Sequence, residues 1–412
     1  MRILAFIAVL ALTFSCTTHP KELQTGIWRG VIDLQGQQLP FTFEVENLQG
    51  QIRVFLKNGP ERLTLDEVDI TGDSVRMVLH IFDAELRARV DGNSLHGFYF
   101  KNYDHSFKQP FNATLGDDFR FDKTSDQPTA DFSGKYSVQF ISDKGDTTAS
   151  VGIFTQQGNH TEGTFLTPNG DYRYLEGNVI NNKLYLSTFD GNHAFIFSAV
   201  KDTQNNLTGD YWSGKSAHEK WTGIKNENAK MSDAEALTYL VKGYEKIDFQ
   251  FPDLNQNIIS LSDEKFRNKV VIVQIFGTWC PNCMDETKFL TQWYKENHAR
   301  GVEILGLAYE RKDDFEYASG RVKKMKQKLG VDYDFVIAGT NDKKKASETL
   351  PMLNQIIAFP TTIFIGKDGK VKHIRTGFEG PGTGTYHELF KQRFNEMVNE
   401  LLIENLTSTA TK

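Results

Sequence analysis

Residues 270–283 read VVIVQIFGTWCPNC. Val270 to Phe276 is apolar except for Gln274, the pattern of a strand covered on both faces. A three-residue turn follows, and then Cys280, Pro281, Asn282 and Cys283. Proline suits the first position of a helix, so a helix is predicted over about 281–298. Cys280 then stands where unpaired backbone N–H groups and the positive helix end favour a thiolate. Cys283 lies one turn inside, placed to resolve a mixed disulfide formed on Cys280.

The chain has 412 residues and three cysteines, two of them in this pair. A structural zinc site needs four ligands. No second C-x2-C pair exists, and the ten histidines are dispersed, with His298 and His373 expected near the core of the pair's domain. A purely structural disulfide across two intervening residues closes a tiny loop and removes little chain entropy. A working redox pair accounts for the strand, the turn and the helix start together.

Around the pair, strands and helices alternate. Strands are predicted at 302–309 and 334–339, and helices at 314–329 and 343–355. A hairpin is predicted from 361–366 and 370–376, and a last helix over 385–404. This βαβ unit followed by ββα has the thioredoxin plan. Phe359-Pro360-Thr361 opens a strand about 80 residues beyond the pair. In thioredoxin-like folds a cis proline at that place packs against the active-site cysteines, and an X-Pro bond tolerates cis at about 0.5–1 kcal/mol.

Residues 247–404 resemble the TlpA/ResA group of exported, membrane-tethered thiol–disulfide oxidoreductases. The resemblance is carried by DFQFPDLNQNIISLSDEKFRNKVVIVQIFGTWCPNC, GVEILGLAYE, AFPTTIFIGKDGKV and GFEGPGTGTYHELF. It implies catalytic roles for Cys280, Cys283 and Pro360. It also implies an acidic residue near the pair for proton traffic, aligned with Glu310. Thioredoxins carry a buried Asp six positions before the first cysteine. Gln274 stands there and cannot titrate, which adds weight to Glu310. The implied clients are disulfide-bearing exported proteins, including apocytochromes before haem attachment. The implied electron source is a membrane thiol–disulfide donor, and no cofactor is needed beyond the Cys280–Cys283 disulfide. Asn282 replaces the proline often found before the second cysteine in this group. Potentials of such pairs span about −270 to −120 mV, so the direction of exchange is left open.

Two other functions compete with this one. Peroxiredoxins share the fold but place a Thr three residues before the peroxidatic cysteine, where Gly277 stands here. A lipid-anchored binding protein would use the β region for a ligand, and Cys280→Ala would leave it working.

That β region spans the N-terminal half. In PFTFEVEN (40–47), Phe41, Phe43 and Val45 alternate with polar residues. Leu86, Ala88 and Val90 alternate with Glu85, Arg87 and Arg89. Turn pairs such as Asp91-Gly92, Asn169-Gly170 and Asp190-Gly191 recur, indicating antiparallel barrels or sandwiches. The region reads as a duplication. Trp28-Arg29-Gly30 matches Phe132-Ser133-Gly134, Phe82-Asp83 matches Phe189-Asp190, and Leu95–Phe100 matches Leu207–Trp212.

The expected fold is therefore multidomain. It joins an N-terminal antiparallel all-β region of two barrel- or sandwich-like repeats to a C-terminal α/β thioredoxin-like domain. The expected boundaries are a signal peptide at 1–15, β units at 24–122 and 131–225, a linker at 226–246 holding a helix near 233–244, and the redox domain at 247–405. ILAFIAVLALTF (3–14) is an apolar run of signal-peptide length, too short for a membrane span. LTFSC resembles a bacterial lipobox, with Cys16 as the acylated mature N-terminus. Phe14 departs from the small residue usual there. Export, a lipid anchor and a periplasmic site at the outer membrane are the expectation. The net charge of −6 gives no reason to expect nucleic acid. The lysine-rich run KKMKQK (323–328) reads as a solvated helix face.

Overall fold

The computed structural model describes residues 22–79, 81–123 and 128–404. Cys16 and the expected signal segment lie outside the described residues. Among those described, no helix is long and apolar enough to cross a membrane.

The first β unit contains β1 (Gly26–Leu34), β2 (Gln37–Leu48), β3 (Gln51–Asn58), β4 (Glu61–Thr64), β5 (Glu67–Thr71), β6 (Ser74–Val78), β7 (Ala84–Asp91), β8 (Ser94–Lys101) and β9 (Asp104–Leu115). These form one antiparallel sheet in the order β4-β3-β2-β1-β9-β8-β7-β6-β5. Pairing of β1 with β9 curls the sheet, while no pairing joins its end strands β4 and β5 among the described residues, so the barrel is incomplete. Phe41, Phe43 and Val45 point into its core, as do Leu86, Ala88 and Val90. Glu85 departs from the alternation. It is buried, and Arg76 Nε donates to it at 2.6 Å.

The second unit contains β10 (Gly134–Ser142), β11 (Thr147–Gln157), β12 (His160–Thr167), β13 (Gly170–Asp171), β14 (Leu175–Ile180), β15 (Lys183–Phe189), β16 (Ala194–Lys201), β17 (Leu207–Ser213) and β18 (Ala217–Lys225). Here β11 pairs with β12, β12 with β14, and β10 with β18, so eight strands close into a ring with β13 as a flap on β12. An eight-stranded barrel has an interior just wide enough for side chains. Phe165, Phe197 and Tyr211 fill it in a stack, with centroids 4.9 and 4.5 Å apart.

The duplication is visible in the strand order, but its first anchor shifts. Gly26 and Gly134 each open the first strand of their unit, at φ of +130° and +114°. Trp28 therefore matches Tyr136, not Phe132; both are fully buried. Gly97 and Gly209 match as read, and for a shared reason. A Cβ would meet Arg87 O at 1.9 Å in one and Ser198 O at 2.0 Å in the other.

The predicted helix near 233–244 is not formed. The segment runs as turns along the redox domain. Val241 N bonds Met352 O at 2.8 Å, Thr376 N bonds Ala234 O at 3.0 Å, and Leu240 bridges Leu353. The Ser232–Glu235 capping pattern is diverted, because Glu235 pairs with His373 at 3.0 Å. Backbone partners offered by the neighbouring domain outcompete a short isolated helix, which is marginal alone.

The C-terminal domain begins with a small hairpin, β19 (Phe251–Pro252) and β20 (Ile258–Ile259). Its main elements are β21 (Val270–Phe276), α1 (Pro281–Asn297), β22 (Val302–Glu310), α2 (Phe315–Leu329), β23 (Asp334–Thr340), α3 (Lys343–Thr349), β24 (Thr361–Ile365), β25 (Val371–Thr376) and α4 (Thr385–Ile403). The sheet order is β23-β22-β21-β24-β25, parallel through the first three and antiparallel at the hairpin. β21 lies at the centre and every one of its residues is buried. Asp314 caps α2 by accepting from Tyr317 N, and Gly330 ends it at φ +61°. α3 stops at Thr349, six residues short of the expected 355, because Pro351 disfavours helix at Leu350.

The three domains interlock. Lys324 Nζ reaches Asp66 at 2.9 Å and Lys328 also pairs with it, so the lysine-rich run is a domain contact and not only a solvated face. Between the β units, buried Arg120 donates to Lys57 O at 2.6 Å, Pro40 O at 3.1 Å and Glu176 at 2.7 Å.

Candidate active site

β21 carries the chain to the edge of the core, and Gly277 turns it. A Cβ at 277 would lie 2.1 Å from the Trp279 indole nitrogen and 2.7 Å from Tyr309 O, so only glycine lets Trp279 fold back. The indole N–H is thereby held by Tyr309 O at 2.8 Å. Cys280 is the N-cap of α1, with Pro281 next. Its Sγ accepts the backbone N–H of Cys283 at 3.2 Å, which satisfies one open donor of the helix start. The same sulfur lies 3.4 Å from Phe359 O, to which it can donate. The Phe359–Pro360 peptide is cis. Cys280, Cys283 and the Pro360 turn are thus brought together.

Both cysteines are thiols. Cys280 is 6% exposed and Cys283 fully buried. Burial pushes the Cys283 thiol well up, and the adjacent Cys280 adds to this. The inner sulfur therefore needs a proton acceptor before it can attack.

Two buried carboxyls flank the pair. Glu310 ends β22 and accepts from Thr278 N at 2.8 Å and Thr278 Oγ1 at 2.9 Å. It braces the turn leading into Cys280. Glu286 was not singled out in the sequence. It lies one helical turn beyond Cys283, where Gln274 Nε2 donates to it at 2.8 Å and Thr362 Oγ1 at 2.7 Å. Gln274, read as a lost titratable group, in fact holds one in place. Its position within VVIVQIF and the Cys-x-x-Cys-x-x-Glu spacing were the available signals. Burial raises both Glu286 and Glu310 from the usual 4.5 to about 7.

These shifts set a pH dependence. Between about pH 4.5 and 7 the folded state holds protons at these positions that the unfolded chain has released. Stability therefore falls as pH rises through that window. Glu286→Gln removes one such proton, so thermal melts should show its stability relative to wild type improving from pH 5 to about pH 7 and levelling off above that. A constant offset across that range would contradict the buried, raised carboxyl.

The largest feature the sequence did not show is a roof over the pair. The β13 turn of the second barrel lies against α1. Asn282 Nδ2 donates to Asp171 O at 3.0 Å, and Arg173 Nη1 to Pro281 O at 3.1 Å. Arg173 is buried, sits at φ +58°, and also pairs with Asp285 of α1, Glu61 of the first unit and Asp190 of its own barrel. Burial alone would lower its pKa, but the surrounding carboxylates reverse this and the net direction is upward. One guanidinium thus joins all three domains beside the redox pair.

Residues 242–389 match the family model for Redoxin. The C-terminal domain is a Redoxin domain. The match leaves both β units uncovered. The chain is 31% identical over 130 residues to the thiol-disulfide oxidoreductase ResA of Geobacillus kaustophilus (strain HTA426). That alignment spans 32% of this chain and 66% of the relative, just under two thirds of its length. It is 27% identical over 150 residues to the ResA of Bacillus subtilis (strain 168), covering 36% and 74% respectively. Among solved structures, a thiol:disulfide interchange protein of the thioredoxin family from Chlorobium tepidum TLS aligns at 22% identity. It covers 39% of this chain and 98% of that one, with a TM-score of 0.30. Within the Redoxin domain, the Cys280–Cys283 turn and the Pro360 turn face each other across the C-terminal ends of β21 and α1's first turn.

Proposed function

We propose that the chain is a thiol–disulfide oxidoreductase that exchanges disulfides with disulfide-bearing partners outside the cytoplasm. The observation that carries this is the position of Cys280 Sγ, between the N–H of Cys283 and the carbonyl of Phe359. Amide donors at a helix start stabilise a sulfur anion. The Cys280 thiolate attacks one sulfur of the partner's disulfide and expels the other as a thiol. Cys283 then loses its proton to Glu286, attacks Cys280 Sγ, and releases the second thiol. The partner gains two electrons and two protons, and the pair is left as a disulfide. Glu310 holds Thr278 and so fixes the approach to Cys280. Glu286→Gln is expected to slow the second step more than the first, because the buried Cys283 then lacks an acceptor.

A peroxidase reading is disfavoured by Gly277. A threonine there, as peroxiredoxins require, would collide with Trp279 and Tyr309. The apolar run at 3–14 and the LTFSC sequence support export and lipid attachment at Cys16, and hence a periplasmic site at a membrane. A membrane thiol donor would then recharge the pair. The ResA resemblance would add protein disulfides, including those of apocytochromes, to the candidate partners.

Cys283→Ala tests the mechanism. The variant should react once, accumulate a mixed disulfide on Cys280 visible by mass spectrometry, and fail to turn over. Release of the second thiol at the wild-type rate would show that Cys283 is not the resolving group.

A further inference from the structure

The second barrel does more than cover α1. Its mouth and the Redoxin domain border a half-open cleft of about 370 Å3 that Cys280 lines. This is at the small end of ligand sites. The aromatic wall on the barrel side comes from Phe140, Tyr172 and Phe195, and on the other side from Trp279 and Phe359. Besides Cys280, the ionisable side chains of Lys343, Glu219, His193 and the buried Asp171 line it, and burial pushes the Asp171 carboxyl up to about 7. Lys343, the first residue of α3, lines the cavity with Cys280, and its amine has no hydrogen-bond or ion-pair partner among the described residues. Glu219 of β18 lies on the barrel side.

The usual approach to such a pair is closed. Pro281 and Asn282, the residues between the cysteines, are buried beneath Asp171 and Arg173. Arg173 is held by three carboxylates, so lifting the barrel would strand buried charges, which is costly. A reacting sulfur must therefore come through the cavity.

We propose that this cavity is a substrate site for low-molecular-weight disulfides carrying both ammonium and carboxylate groups, of the size of cystine or a cysteinyl dipeptide. This rests on the thiol–disulfide reading above and narrows its substrate. Lys343 pairs with the carboxylate, Glu219 with the ammonium, and the aromatic walls flank the disulfide. Reduced enzyme and cystine give oxidised enzyme and two cysteines, with Cys280 forming the mixed disulfide and Cys283 resolving it. No further reductant is consumed in that single turnover.

The test uses reduced full-length protein with cystine, bis(2-hydroxyethyl) disulfide and folded insulin. Oxidation of the pair is followed by thiol labelling, and each rate is divided by that disulfide's rate with a small dithiol in solution. Cystine should exceed insulin by about tenfold or more. Lys343→Ala and Glu219→Gln should each lower the cystine to bis(2-hydroxyethyl) disulfide ratio by about tenfold, the scale of one charge-assisted hydrogen bond. Insulin reacting as fast as cystine, or an unchanged ratio in both variants with wild-type melting curves, overturns the inference alone. Failure of all three disulfides to oxidise the pair overturns the oxidoreductase reading, and the inference with it.

Discussion

Cys280→Ser is expected to abolish disulfide exchange, with a fall on the order of 10³-fold or more in turnover. A serine hydroxyl can accept the N–H of Cys283 in place of the sulfur, so the helix cap and the fold should survive. What is lost is the one sulfur among the described residues that lines the cavity, since Cys283 is fully buried behind it. Circular dichroism should show a wild-type fold, and thiol trapping should recover no mixed disulfide. Residual turnover within tenfold of wild type would mean that Cys283 attacks directly, against its burial.

Arg173→Met should cost roughly 3–5 kcal/mol, the range for leaving partners of a buried ion pair uncompensated. Glu61, Asp190 and Asp285 each lose a charge partner at once. The basic side chains left in contact with them are Lys288, 3.2 Å from Asp285, and the His193 ring, 3.0 Å from Asp190, and neither sits between all three. Because Arg173 also holds Pro281 O, the loss should reach the redox pair. Urea denaturation should show the transition at lower denaturant, and Cys280 should be alkylated faster in native buffer as the roof loosens. Arg173→Lys should recover part of the stability but not the alkylation protection, since one ammonium cannot span the same set of acceptors. A wild-type midpoint in Arg173→Met would show that the three carboxylates are accommodated without the guanidinium.

The redox domain was legible because its signals are local. A strand buried on both faces must be apolar throughout, a helix start selects for proline and caps, and a cysteine pair at that start has few other uses. β21, α1 and α2 fall within a residue or two of the reading for that reason. Period-2 alternation likewise showed the β units, since a one-sided core imposes it strand by strand. The misplaced repeat anchor shows its limit: Trp28-Arg29-Gly30 resembles Phe132-Ser133-Gly134 in letters, while the left-handed backbone that makes Gly26 and Gly134 equivalent leaves no mark on their neighbours.

The linker helix was missed because its competitor was remote. Its own residues favour a helix, and backbone groups of 352–354 and 376 with the side chains of Asn354 and His373, over 100 residues away, decide otherwise. Glu286 was visible as a letter, but its burial against Gln274 and Thr362 was not.

The sequence by itself determined that there is a redox domain, where its sulfurs lie along the chain, and that β units precede it. Only the tertiary structure decided that the second barrel closes over those sulfurs, and that Arg173, 107 residues before Cys280, binds the helix they cap. Patterns of burial and capping repeat every two to four residues and are written in the chain. A contact between two domains involves residues that share no period, and it exists only once both surfaces are folded and face each other.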